Sequence, residues 1–144
     1  MQQRQDARRV RFPASLTVFW CYGSNSRRTC SRGWKKSLRR KIKNAVILSG
    51  AGGVRGYHVH QISNRDFPSK NMFEKNPNAP ADLISMNGYI IDGRIHAHMT
   101  LATPDKAFGG HLEPGTEVFT FGIVTLGVMK EGADFSHLDD KAYR

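Results

Sequence analysis

The chain has 144 residues, 39% hydrophobic and 24% charged, enough for one domain with a real core and unlike the composition of a disordered protein. No apolar run approaches the roughly 20 residues of a membrane helix, and the start, Met1-Gln2-Gln3-Arg4, lacks the apolar stretch of a secretory signal, so the expected location is the cytoplasm. The net charge of +10 invites a nucleic-acid reading, but residues 1–42 carry 12 Lys+Arg against one acid, Asp6, and residues 43–144 carry 10 against 11 Asp+Glu, so the excess lies in an N-terminal arm ahead of a nearly neutral domain.

Residues 1–31 read as irregular, although Val10-Arg11-Phe12 and Leu16–Tyr22 have β composition. Cys21 and Cys30 are expected to be free thiols, since two cysteines at this spacing complete no zinc knuckle. From Ser31, a capping residue, a short helix is predicted, with Trp34, Leu38 and Ile42 on one stripe and Lys35, Lys36, Arg39, Arg40 and Lys43 on the other face. Arg27, Arg28, Lys35, Lys36, Arg39 and Arg40 are the candidate phosphate contacts, against the plainer reading of a solvated basic face.

Asn44–Ser49 fits a buried strand that ends at Gly50-Ala51-Gly52-Gly53, a cluster without the Gly-Lys-Ser/Thr of a phosphate loop. Val54–Ile62 alternates as a strand, with Tyr57, Val59 and Gln61 on one face and His58, His60 and Ile62 on the other. Ser63–Ala81, with three prolines, reads as a long loop. Asp82–Ile91 and Arg94–Ala102 read as strands joined by Asp92-Gly93, the strongest short hairpin signal in the chain. Thr103–Gly110 reads as a turn region, and Glu117–Met129 as a strand apolar on both faces, hence central or covered by another subunit. Lys130–Arg144 is a polar tail. The class expected is α+β, a mostly antiparallel sheet with a flanking helix or helices.

Chemistry concentrates in the histidines. His96 and His98 stand two apart on a strand and therefore share a face. Neutral imidazole is the commonest ligand for zinc and similar ions, and a third histidine from a loop completes the minimum for a three-His site with one open position. His111, after Gly109-Gly110, is the natural third, and Glu113 could orient a ligand or act as base. Against this stands the plainer reading of His-X-His as partly exposed polar residues. His58 and His60 repeat the spacing without a Gly-Gly-His companion, and either join the site or lie elsewhere; His137 in the tail is given no role. Asp105 and Glu113 form at most a solvated carboxylate pair, and any hydrolysis would need a metal-bound water.

Gly93-Arg94-Ile95-His96-Ala97-His98-Met99-Thr100-Leu101-Ala102, then Gly109-Gly110-His111-Leu112 and Gly115-Thr116-Glu117-Val118, resemble the signature of plants-and-prokaryotes-conserved (PPC) domains; Asp82–Gly88 resembles the preceding strand and Asn44–Gly56 an earlier strand and Gly turn. The resemblance covers residues 33–129, between an atypical basic segment 1–32 and the tail 130–144. It implies an antiparallel sheet with flanking helices, a homotrimer, and in some members a metal on the histidines matching His96, His98 and His111. Prokaryotic members are described as candidate DNA-binding proteins; in plants an AT-hook reads the DNA, and this chain has no Arg-Gly-Arg-Pro core. The mismatch of residues 1–32 with the family and the step from +11 to −1 suggest a break in reading frame or a misplaced start ahead of Gly33. The first functional reading is a non-enzymatic, homotrimeric DNA-binding protein that contacts DNA through its arm. The alternative is a metal-dependent enzyme or small-ligand binder using His96, His98 and His111, with zinc or a similar divalent ion. A third is a trimer whose histidines only pack and hydrogen-bond. No membrane partner is expected.

Overall fold

A computed structural model describes residues 14–22 and 42–135. The helix expected from Ser31 falls outside the described residues, within which every element is a strand. The strands are β1 (Ala14–Tyr22), β2 (Ala45–Ile62), β3 (Asn71–Asn76), β4 (Ala81–Ile91), β5 (Arg94–Ala102), β6 (Ala107–Leu112) and β7 (Glu117–Met129). All pairings are antiparallel and run in the order β1-β7-β2-β4-β5-β6, with β3 added to β2 and a further pairing of β6 back onto β2.

That last pairing closes β2, β4, β5 and β6 into a ring. Strand β2 makes it possible by serving different neighbours along its length. Ala45–Val54 lies between β4 and β7, whereas Tyr57–Ile62 pairs with β3, and Val59 and His60 also meet β6. Eighteen residues of straight strand would reach about 60 Å, longer than a domain of this size. Register shifts at Ile47/Ser49, Gly52/Gly53 and Val54/Gly56 break the run, and such bulges bend a strand. The Gly50–Gly53 cluster is therefore the middle of one strand, not the turn expected between two. A side chain at Gly50 would strike Met86, and one at Gly52 the backbone of Phe121 and Gly122, so glycine is what lets the neighbours approach.

Two other expectations are corrected. The loop expected over Ser63–Ala81 contains β3, because its prolines (Pro68, Pro77 and Pro80) stand outside Asn71–Asn76 and leave that stretch free to pair with Tyr57–Ile62. The turn region expected over Thr103–Gly110 becomes strand from Ala107 onward. Strands β5 and β7 have the predicted limits, whereas Ala14–Tyr22, inside the segment read as irregular, forms β1, in keeping with its β composition. The Asp92-Gly93 hairpin holds: Ile91 faces Arg94, and φ of 53° at Asp92 and 73° at Gly93 makes the tight turn that matches strand twist.

The inner face of the sheet carries the core, in which Val59, Ala97, Leu101 and Leu126 are wholly buried with Ile47 and Met99 around them. The outer face of β7 presents Phe119, Phe121 and Ile123, each about two-fifths exposed; the strand that reads apolar on both sides buries only one of them among the described residues. The start of the tail packs back: Phe135 is buried, and the Asn44 amide donates to Ala133 O (2.7 Å) while its Oδ1 accepts from Asp92 N–H (3.0 Å).

Candidate metal centre

Alternation puts Ala97, Met99 and Leu101 of β5 into the core, so His96 and His98 point to the opposite face. Register then decides what stands beside them. His98 faces His111 of β6, and His111 faces His60 of β2. On either flank His98 faces Asn87 of β4, and His60 faces Phe73 of β3. One rung of the sheet thus reads Asn87, His98, His111, His60, Phe73, with His96 one pleat along. Residues opposite one another on adjacent strands hold their side chains in contact. The ring centroids follow: 4.6 Å for His60–His111, stacked at 26°, 4.8 Å for His96–His111, 5.5 Å for His98–His111 and 5.6 Å for His96–His98.

Gly109-Gly110 positions β6 in this rung. The expectation was of a loop folding over the histidines; the pair instead lies within a strand, flanked closely by two backbones. A Cβ on Gly109 would collide with the Met99 carbonyl of β5, and one on Gly110 with the His60 carbonyl of β2. The Gln61 amide donates to Gly109 O on the β2 side. Only a strand without side chains there fits between both neighbours, and His111 follows at once.

Glu113 lies just past β6. Its N–H donates to His58 O (3.0 Å), and its Oε1 accepts from Nδ1 of His60 (2.6 Å) and of His111 (3.3 Å). A carboxylate only accepts, so both histidines donate to it from Nδ1, and in a neutral ring the atom left for a metal is then Nε2. His58 is tied in the same way, by Nδ1–H to Pro114 O (2.9 Å), but it lies beside Phe73, not in the rung. Burial, then the charges of His60 and His96, hold His111 below the ordinary imidazole range, against an upward pull from Glu113. Partial desolvation, then His96 and His60, does the same for His98. At neutral pH both are in the uncharged form that binds metal.

One ligand atom each from His60, His111 and Glu113 can be chosen within 4.8 Å of one another. The donors that converge most closely are not those of the His-X-His pair: neither His96 nor His98 belongs to the group. Imidazoles bound through Nε2 to a tetrahedral ion at about 2.0–2.1 Å have ring centres about 5 Å apart, and the four measured spacings bracket that value.

His96, His98 and His111 therefore come together, and Glu113 meets His111. Asp105 lies apart from Glu113, in the exposed turn ahead of β6. Arg27, Arg28, Lys35, Lys36, Arg39, Arg40 and His137 fall outside the described residues. Sequence reasoning left His60 undecided. Its signal was the repeated His-X-His of His58 and His60, which gains meaning only once β2 is known to pair with β6.

Residues 35–130 match the sequence profile of the Plants and Prokaryotes Conserved (PCC) domain. No curated protein matches the chain. Among solved structures, a metal-containing protein from Archaeoglobus fulgidus is similar at 21% identity and TM-score 0.67, over 88% of this chain and 89% of that one. A plant- and prokaryote-conserved protein from Pyrococcus horikoshii is similar at 21% and 0.65, over 86% and 85%. A protein from Bacteroides thetaiotaomicron named as a candidate DNA-binding protein is similar at 12% and 0.60, over 85% and 86%. At such identities the likeness is one of fold.

Proposed function

The chain belongs to the Plants and Prokaryotes Conserved domain family, and on that footing we propose that it is a metal-binding member, holding zinc or a similar divalent ion on His96, His98 and His111. The observation that carries this is the histidine rung, in which imidazoles from separate strands meet with burial favouring their neutral form. A surface His-X-His without a role needs no third ring between its own strand and the next. The metal-containing relative from Archaeoglobus fulgidus supports the same reading. A bound ion would supply either a cross-link between strands or, with a position left open, Lewis acidity. Elemental analysis of chelator-free protein tests it: one equivalent of metal per chain is expected, lost in His98→Ala, and metal-free wild type at neutral pH refutes it.

The ion would sit in a homotrimeric DNA-binding protein. Phe119, Phe121 and Ile123 on the outer face of β7 offer the apolar surface that further copies would cover. Relatives named as candidate DNA-binding proteins support the DNA reading, and the charge distribution favours phosphate contacts from residues 1–42, which include β1, over residues 43–144, which are nearly neutral. Among the described residues no helix is long and apolar enough to cross a membrane.

A further inference from the structure

We infer that His60 is a fourth imidazole of this centre and that Glu113 is its positioning residue, so that the site is closed and structural, not open and catalytic. The inference rests on the metal reading above and adds a ligand and a class of site to it. Sheet register puts His60 opposite His111 on the side away from His98, so His111 stands between two histidines. The His60 ring stacks on that of His111 at 4.6 Å, with Phe73 at 5.2 Å behind it. A histidine facing solvent needs neither constraint.

Glu113 fixes both rings at once. The same Oε1 accepts from both Nδ1 atoms, and the shorter contact is to His60. The backbone that carries this carboxylate is itself held to β2, the strand of His60, through Glu113 N–H and His58 O. Both Nδ1 atoms are thus engaged, and in the neutral rings Nε2 is the atom each would offer an ion. While Oε1 holds both Nδ1 atoms it is engaged with the rings, and an ion on that oxygen would displace both hydrogen bonds. A three-His site keeps water in its fourth position, and an imidazole there leaves no room for it.

Cobalt(II) loading of the full chain tests this, because four-coordinate cobalt absorbs visible light much more strongly than five- or six-coordinate cobalt. Wild type should bind one equivalent with the strong spectrum, and His98→Ala should lose it. His60→Ala, and His60→Phe as the variant that keeps a ring in the stack, should still bind, with a weakened spectrum as water enters. Glu113→Gln should lower affinity about 10–100-fold while keeping the shape of the wild-type spectrum. If both His60 variants match wild type in affinity and spectrum, His60 is not a ligand and the inference fails while the three-histidine reading survives. If Glu113→Gln changes the spectrum as the His60 variants do, Glu113 is a ligand and its positioning role is refuted. Wild type that takes up no cobalt overturns both readings.

Discussion

Gly110→Ala places one methyl group where β6 meets β2. Its Cβ would strike the carbonyl of His60, a backbone atom that cannot rotate away, so the strands must separate. Separation weakens the bond from Glu113 N–H to His58 O, that from the Gln61 amide to Gly109 O, and the pairing of His60 with His111. At about 1 kcal/mol for each such interaction the cost is about 3 kcal/mol. In a domain of this size that lowers Tm by roughly 12–24 °C. Gly127→Ala is the control, because its Cβ would meet the Leu48 side chain at 3.7 Å and Val46 O at 4.0 Å, both ordinary contacts. Thermal melts followed by circular dichroism, with zinc titrations at a temperature where both variants are folded, measure the two consequences. Gly110→Ala should lose stability and bind zinc more weakly, and Gly127→Ala should stay within about 0.5 kcal/mol of wild type. Equal stability and equal zinc affinity in the two variants would refute the claim that β6 needs glycine to close the ring.

Two further outcomes are expected. His98 and His111 are held below the ordinary imidazole pKa of about 6.5, so the unfolded chain takes up protons there before the native one does. Metal-free protein should therefore keep its full stability above about pH 6.5 and lose it as pH falls through the depressed native values, with a shallower decline in His98→Ala; melts from pH 8 to 5 check this, and identical slopes would contradict it. For DNA, binding by the full chain should fall steeply with salt and be lost when Arg27, Arg28, Lys35, Lys36, Arg39 and Arg40 are all replaced by Gln, changes that leave β1 in place; fluorescence anisotropy that finds affinity intact in that variant would move the contacts to residues 43–144.

Strands whose side chains alternate or run unbroken as β-formers were legible in the sequence; β3, set among prolines, and the stretches of strand that carry paired glycines were not. Arg94–Ala102 and Glu117–Met129 declare themselves by alternation or by unbroken β-formers, and Asp92-Gly93 by the positive φ angles its turn requires. Gly50–Gly53 and Gly109-Gly110 read as turns because glycine most often marks one. Here the same residues serve close approach between backbones, a need set by neighbours distant in sequence. The candidate site divides along the same line. His96 and His98 share a face by local periodicity alone, and His111 is flagged by its glycines. His60 enters only through the β2–β6 pairing, which joins residues about fifty positions apart, and no local pattern reports it.

The closure of β6 onto β2 also bears on the order of folding. The β4–β5 hairpin can form from neighbouring residues, but His60, His98 and His111 become neighbours only after three separate segments have met, and such long-range contacts come slowly. The cluster is thus expected to complete late in folding. An ion captured by this rung would act as a latch on the finished domain, binding the native chain and sparing the unfolded one. Time-resolved metal uptake during refolding would then date the final step of assembly.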